Sequence, residues 1–431
     1  MTAVIAGGGW AGCAAATSAR RAGINAVLLE RTDMLLGTGL VGGIMRNNGR
    51  YTATEEMIAM GGGDLFTICD EYARHRDIEF PGHKHASLYD IAAIHNAVML
   101  HLKRLGVDIV FNARVNKVYM KGGRIEAVSD GAERKYGADV FIDATGTAGP
   151  MINCAKYGNG CAMCILRCPS FGGRVSLTGL AGVSEMTGKK PTGETGAMSG
   201  SCKLFKESLS EDIQKRLNET GVALVPVPPE LKSDKLVIKA CQQYTMPEFV
   251  DNLVLLDTGH AKLMSPYYSL DLLRQIPGME NARYEDPYAG GRGNSMRYFE
   301  MAPRDDSLKV NGVDNLFCCG EKAGLLVGHT EAIVTGTLAG HNAAMYAQGG
   351  EALTLPETLA TGYAVKRVRE AMGTDVGMGQ KFTFSGSVLY TEIIANGLYT
   401  TDIADIERRV TEAGLKGVFN RAVSNTKESY N

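Results

Sequence analysis

Two groups of residues in this chain have types and spacings that suit chemistry. The first is a run of thiols, Cys161-x2-Cys164-x3-Cys168-Pro169, with Cys154 seven residues upstream of Cys161. It matches the last three cysteines of the cluster-binding run C-x2-C-x2-C-x3-C-P, with the first C-x2-C step replaced by C-x6-C. A cubane cluster needs thiolates that converge on a turn, and the flanking Gly158, Gly160, Gly172 and Gly173 suit one. Three readings stay open: Cys154, Cys161, Cys164 and Cys168 as metal ligands of a [4Fe–4S] cluster, Cys161 and Cys164 as a C-x-x-C redox or catalytic pair, or all of them as small buried apolar side chains.

The second group is Gly7-Gly8-Gly9-Trp10-Ala11-Gly12, a G-x-G-x-x-G between an apolar strand-like run, "TAVIA", and a helix-like run. Here Gly7 permits a tight turn, Gly9 admits a pyrophosphate to the backbone, and Gly12 lets the helix lie close to the strand. The pyrophosphate would meet the helix amino terminus, where N–H groups and the helix dipole favour an anion. Glu30, eighteen residues past Gly12 at the end of the next strand, is placed to bond an adenosine ribose hydroxyl.

Other side chains are weaker candidates. His83 and His85 in "PGHKHASLY" are expected in a loop, because Pro-Gly opens it, and serve as candidate proton donors near the cofactor. No acidic or cysteine ligand lies close enough to them in sequence to favour a metal site. Arg167 and Arg174 flank the thiol turn, where they would bind a substrate carboxylate or pair with surface acids. His260, Arg292, Arg297 and Arg304 remain further candidates, and Cys318-Cys319 reads as core.

The elements that must position these groups alternate. Strand, turn, helix and strand fill the first thirty residues, and "VDNLFCCGEKAGLLVGHTEAIVTGTLAGHNAAMYAQGG" repeats strand, turn, helix late in the chain. That alternation predicts a parallel α/β sheet. Residues 37–63 read as loop with short helices, 88–105 as helix, and 107–129 as strands with a hairpin at Gly122-Gly123. "ADVFIDATGTAGP" reads as a buried strand entering a glycine turn. Between 151 and 285 cysteines, turns, a charged helix and the connector "VPVPPELKSD" mark an inserted α+β domain. The expected division is 1–150 and 286–350 for two parts of one cofactor domain, 151–285 for the insert, and 351–431 for a helical carboxy-terminal region.

Composition sets bounds. The chain has 431 residues, 45% hydrophobic and 21% charged, which is ordinary for a soluble globular protein. A formal net charge of −2 gives no electrostatic case for nucleic acid or an anionic membrane, so neither is expected as a partner. Fifty-three glycines far exceed the roughly thirty expected at average usage, and glycine concentrates where backbone approaches a ligand. The apolar amino terminus lacks the basic start of a signal peptide, and no apolar run reaches the roughly 18 residues of a membrane span. With ten cysteines, the expectation is a cytoplasmic, reducing compartment.

The "GGGWAG" turn, "DATG" at 143–146 and "NLFCCGEKAG" followed by a helix together resemble the FAD-dependent oxidoreductases of the glutathione-reductase-like superfamily. The closing segment looks especially like the folate/FAD tRNA-modifying flavoproteins, and more broadly like the family that includes the heterodisulfide reductase flavin subunit. The resemblance covers residues 1–50, 105–150 and 310–350. It implies a discontinuous Rossmann-type FAD-binding domain, with Gly146 in one cofactor turn and Gly320 and Glu321 in another, where Glu321 contacts the flavin ribitol. Most relatives have Asp there, and the tRNA enzymes Gln. The helix beginning near Thr330 would point its amino terminus at the flavin pyrimidine edge, with His329 just before it as a catalytic candidate. "GTGLVGGIMRNNGR" would pass the flavin ring, with Gly42 and Gly43 allowing close approach and Arg46 or Asn47 reaching its polar edge. Folate-dependent relatives carry a catalytic cysteine in comparable loops, and this loop has none.

The resulting expectation is an FAD-dependent oxidoreductase that passes hydride or electrons between a small-molecule substrate and a carrier, with an electron-carrier protein as partner and homo-oligomers open. Two alternatives stand beside it: a folate/FAD-dependent nucleic-acid modification enzyme, and a non-catalytic electron-transfer flavoprotein subunit.

Overall fold

Short apolar runs separated by helices build a parallel sheet when each run is buried on both faces. In the computed structural model, strands β1 (Thr2–Ala6), β2 (Asn25–Leu29), β6 (Asp108–Val110), β10 (Val140–Asp143) and β15 (Leu316–Cys318) form a five-stranded parallel sheet. Its order is β15-β10-β1-β2-β6, so the central strand is the one that carries the glycine turn. The structure describes residues 1–146, 175–190, 192–195, 197–198, 201–232, 246–265, 269–285, 296–297 and 299–422.

Helix α1 (Trp10–Arg21) follows β1, and helices α2 (Gly49–Ala59), α3 (Asp64–Glu71) and α4 (Ile94–Arg104) complete the first part. A small antiparallel sheet, β3 (Ile44–Met45), β5 (His83–Tyr89) and β4 (Ala73–Phe80), lies beside them. Here the expected loop at "PGHKHASLY" is corrected. Pro81 and Gly82 make the hairpin turn, with Gly82 at φ +73°, and the strand starts directly after them. The turn signal is real, but it marks the boundary of the strand rather than its absence. A third sheet joins β7 (Val115–Lys121), β8 (Arg124–Asp130) and β9 (Lys135–Gly137), with Gly122 and Gly123 at positive φ in the expected hairpin.

The insert contains a second core. Strands β11 (Cys202–Leu204), β12 (Val222–Pro226), β13 (Asn252–Asp257) and β14 (Ala261–Leu263) form an antiparallel sheet in the order β11-β14-β13-β12. Helix α5 (Glu211–Thr220) buries only Ile213 and Leu217, four residues apart on one face, against this sheet. Residues 175–190 behave differently: Leu177 joins the main core.

Helix α6 (His329–Ala347) returns the chain to the first domain, and α7 (Ala360–Met372), α8 (Ser387–Ala395) and α9 (Ile403–Glu412) make the carboxy-terminal region helical. A Cβ at Gly336 would lie 2.2 Å from the Ala11 carbonyl oxygen, and one at Gly340 would lie 2.2 Å from that of Ala15. Backbone of α6 therefore rests directly on backbone of α1, which is how residues some 320 positions apart meet at one site. No helix among the described residues is long and apolar enough to cross a membrane.

Candidate active site

The glycine turn shows a steric reason for glycine at Gly7 and Gly12, and open space at Gly9. Gly7 has φ +107°, and a Cβ there would meet the Ala144 carbonyl oxygen at 2.4 Å. A Cβ at Gly12 would meet the Gly7 carbonyl oxygen at 1.9 Å, so this helix can start only with glycine there. At Gly9 nothing lies within 4 Å of a Cβ, which leaves the backbone open at the amino terminus of α1. The buried Glu30 side chain borders the turn: Oε2 accepts from the Gly8 N–H at 2.9 Å, and Oε1 accepts from Thr32 N and Oγ1, both at 2.8 Å. An open helix start beside a fixed carboxylate fits the pyrophosphate and ribose of a dinucleotide. Gly146, at φ +74° beyond β10, has nothing within 4 Å of a Cβ among the described residues. Just before it, the buried Asp143 accepts from Thr145 and Thr178, which fixes the shape of that turn.

The second half brings Gly320, Glu321, His329 and Thr330. Gly320, at φ +63°, donates its N–H to Thr335 Oγ1 at 2.9 Å, which ties the turn Gly320–Ala323 to α6. Glu321 is half-buried in that turn. Arg304, a candidate for direct chemistry, instead donates to the carbonyls of Ala323 (2.9 Å) and Val365 (2.8 Å) and braces the turn from behind. Lys322 pairs with Glu185 and donates to Ser176 Oγ at 3.0 Å, while burial lowers its pKa to about 8.

His329, the first residue of α6, has Nδ1 3.3 Å from the Tyr89 hydroxyl, which donates to the Gly39 carbonyl at 2.8 Å. A Cβ on Gly42 would lie 1.6 Å from His329 Cε1, and one on Gly43 would lie 2.4 Å from Thr258 Cγ2. The loop thus passes between α6 and the insert, and its glycines make room for His329 and Thr258. Thr330 is buried, with Oγ1 3.6 Å from Met45 Sδ.

Beneath this loop lies a polar network that sequence reasoning missed. Arg50 Nε donates to Glu331 at 3.0 and 3.2 Å, Arg50 Nη1 to Asn47 Oδ1 at 3.1 Å, and Thr383 and the Phe384 N–H complete the Glu331 shell. Asn47 Nδ2 is 2.8 Å from His83 Nδ1, so His83 joins the network. Burial, aided by Arg50, lowers the His83 pKa to about 3, and its imidazole is neutral near neutral pH. His85 instead reaches Asp77 at 2.8 Å on the partly exposed side of the hairpin. Arg46 pairs with Asp70 at 2.6 Å and with Glu55, and is spent on those acids. Lys262 was also missed: an isolated lysine in "HAKLMS" carries no pattern, although it is buried here and bonds the loop.

The expected metal ligands Cys154, Cys161, Cys164 and Cys168 lie outside the described residues, as do Arg167, Arg174 and Arg292; only backbone is described at Arg297. Among the described residues, no group of His, Cys, Asp and Glu could hold a metal ion. Cys13, Cys69, Cys318 and Cys319 are buried, and burial raises their thiol pKa values, so they act as core. His260 pairs with Glu285 at 2.5 Å.

Parallel sheet, glycine turn and buried acidic residue define a Rossmann-type dinucleotide-binding protein. The family described as "Glucose inhibited division protein A" matches residues 2–253 and 258–351. The chain belongs to that family of FAD-binding flavoproteins. It is similar in fold to GidA of Aquifex aeolicus in two crystal forms, with TM-scores of 0.66 and 0.63 at 15% identity, over 96% and 95% of this chain and 76% of GidA. It is 34% identical over 116 residues to the tRNA uridine 5-carboxymethylaminomethyl modification enzyme MnmG of Acholeplasma laidlawii (strain PG-8A). That stretch is 26% of this chain and only 18% of the relative's length. The match corrects the expectation that nucleic acid is no partner, since a relative sharing this stretch is named for a tRNA reaction. Net charge misleads because it sums over the whole chain and says nothing of how charge is distributed over the surface. Nothing in the comparisons supports a [4Fe–4S] cluster or an electron-carrier role.

Proposed function

We propose that this chain is an FAD-dependent enzyme that modifies a base of tRNA. The observation that carries this reading is the family match, which runs through the glycine turn, the insert and α6, with the 34% identical stretch shared with a relative named for tRNA uridine modification. Bound FAD would supply redox chemistry at its isoalloxazine ring. The chain's own residues do the rest. Backbone at Gly9 and the amino terminus of α1 hold the pyrophosphate, Glu30 the ribose, and Glu321 the ribitol. The amino terminus of α6 favours negative charge at the ring, and His329 holds a proton beside Gly42. In this reading residues 1–150 and 286–350 form the cofactor domain and 151–285 present the substrate.

A second reading, redox chemistry on a small molecule, is favoured by the loop of residues 37–50, which contains no thiol. One experiment separates the two. FAD-reconstituted protein, kept from oxygen, is incubated with unmodified tRNA, a reductant and a one-carbon tetrahydrofolate as carbon donor, and the digested nucleosides are weighed by mass spectrometry. The tRNA reading expects a new uridine derivative and binding that weakens steeply with salt. Flavin turnover with small molecules and no altered nucleoside would replace it with the second reading. Iron and acid-labile sulfide measured on the same sample test the cluster use of Cys154, Cys161, Cys164 and Cys168; their absence would leave thiol chemistry or plain burial.

A further inference from the structure

Lys262 is a buried lysine on β14, between the fully buried Ala261 and Leu263, and is itself 5% exposed. Its Nζ donates to the carbonyl oxygens of Val41 and Gly42, both at 2.8 Å. Those carbonyls belong to the loop whose Gly42 lies against His329 and whose Gly43 lies against Thr258. The inserted sheet therefore holds the loop with Lys262 and Thr258, while α6 holds it from another side with His329. Among the described residues no carboxylate forms an ion pair with Lys262. The groups that face it are Lys203 and Cys202 on β11 and Arg50 on α2, whose own charge is met by Glu331.

We propose that Lys262 is a positioning residue that sets the Val41-Gly42 loop as a neutral amine, with its two N–H groups given to the two carbonyls and its lone pair left over. Calling this loop flavin-side rests on the FAD reading above; the clamp itself does not. Burial, then Lys203 and Arg50, lower the Lys262 pKa from 10.5 to about 7. Linkage sets the sign of the pH dependence. Opening the clamp returns the amine to water and to its ordinary pKa, so opening takes up a proton between about pH 7 and 10.5. Closure is favoured as pH rises through that window, and is insensitive to this group below it.

Hydrogen exchange by mass spectrometry on the apo-protein tests the proposal, because no flavin is needed. Peptides spanning residues 37–45 are followed from about pH 6 to about pH 9, with intrinsic exchange rates corrected. Wild-type protection is expected to rise above about pH 7, by up to roughly tenfold per pH unit. Lys262→Met should lower protection at about pH 9 by roughly tenfold or more and remove the pH dependence. Lys262→Arg, charged throughout, should also be flat. Peptides from β1 and α1 report whether each variant is folded, and if neither variant folds, the wild-type profile alone decides. A flat wild-type profile, or unchanged loop protection in folded Lys262→Met, overturns the proposal. Failure of the FAD reading would show separately, as no flavin retained by a protein whose clamp still titrates.

Discussion

At Gly9 a methyl group has room, and at Gly12 it has none, although the same six-residue pattern asks for glycine at both. The two positions therefore separate binding from folding. Gly9 has φ −68°, a conformation open to alanine, so Gly9→Ala should leave apo-protein stability within about 0.5 kcal/mol of wild type. It should weaken FAD by at least roughly tenfold, because a Cβ now stands where pyrophosphate must approach. Gly12→Ala should cost about 1–3 kcal/mol or more in a urea melt. His83 gives a pH signature. Its folded pKa of about 3 lies below 6.5, so the unfolded chain binds the extra proton, and stability is lost as pH falls from about 6.5 towards 3. His83→Gln should flatten that slope in part, since His341, lowered to about 4 by burial, keeps a share of it. At this scale the glycine turn and Glu30 are legible in the sequence because their constraints are local. Arg50 with Glu331, and Lys262 with the Val41 and Gly42 carbonyls, are not: each pairing spans more than 200 residues, and no spacing rule announces it.

The site exists because α6 lies on α1 without side chains between them. Gly336 and Gly340, four residues apart, face the carbonyls of Ala11 and Ala15, and the start of α6 carries His329, Thr330 and Glu331 to the loop after β2. Gly340→Leu should force the helices apart, lowering the melting temperature and weakening FAD together, whereas Gly9→Ala touches only the second. A circular-dichroism melt beside a flavin fluorescence titration reads both. Two glycines at helical spacing in "TGTLAGHN" could announce this crossing, but they gain meaning only once their partner helix is known. The hairpin β4–β5 escapes a sequence reading for a different reason, since Pro-Gly marks where a strand turns and leaves the conformation of the next residues open.

For the whole molecule, the order of elements already carries the architecture: a cofactor domain interrupted by an insert, with helices at the end. Composition cannot carry the partner, because a charge of −2 summed over 431 residues leaves the distribution of charge unstated. The insert's sheet is not a free-standing module, since Lys262 and Thr258 reach into the loop that α6 also holds. Whether both halves of the cofactor domain join to hold FAD at the Gly7–Gly12 turn can be read from one visible absorption spectrum. Protein incubated with FAD and freed of excess by gel filtration should elute with the absorption bands of bound flavin, near one per chain. A well-folded protein that elutes colourless, with all the FAD in the small-molecule fraction, would mean that the turn does not hold FAD.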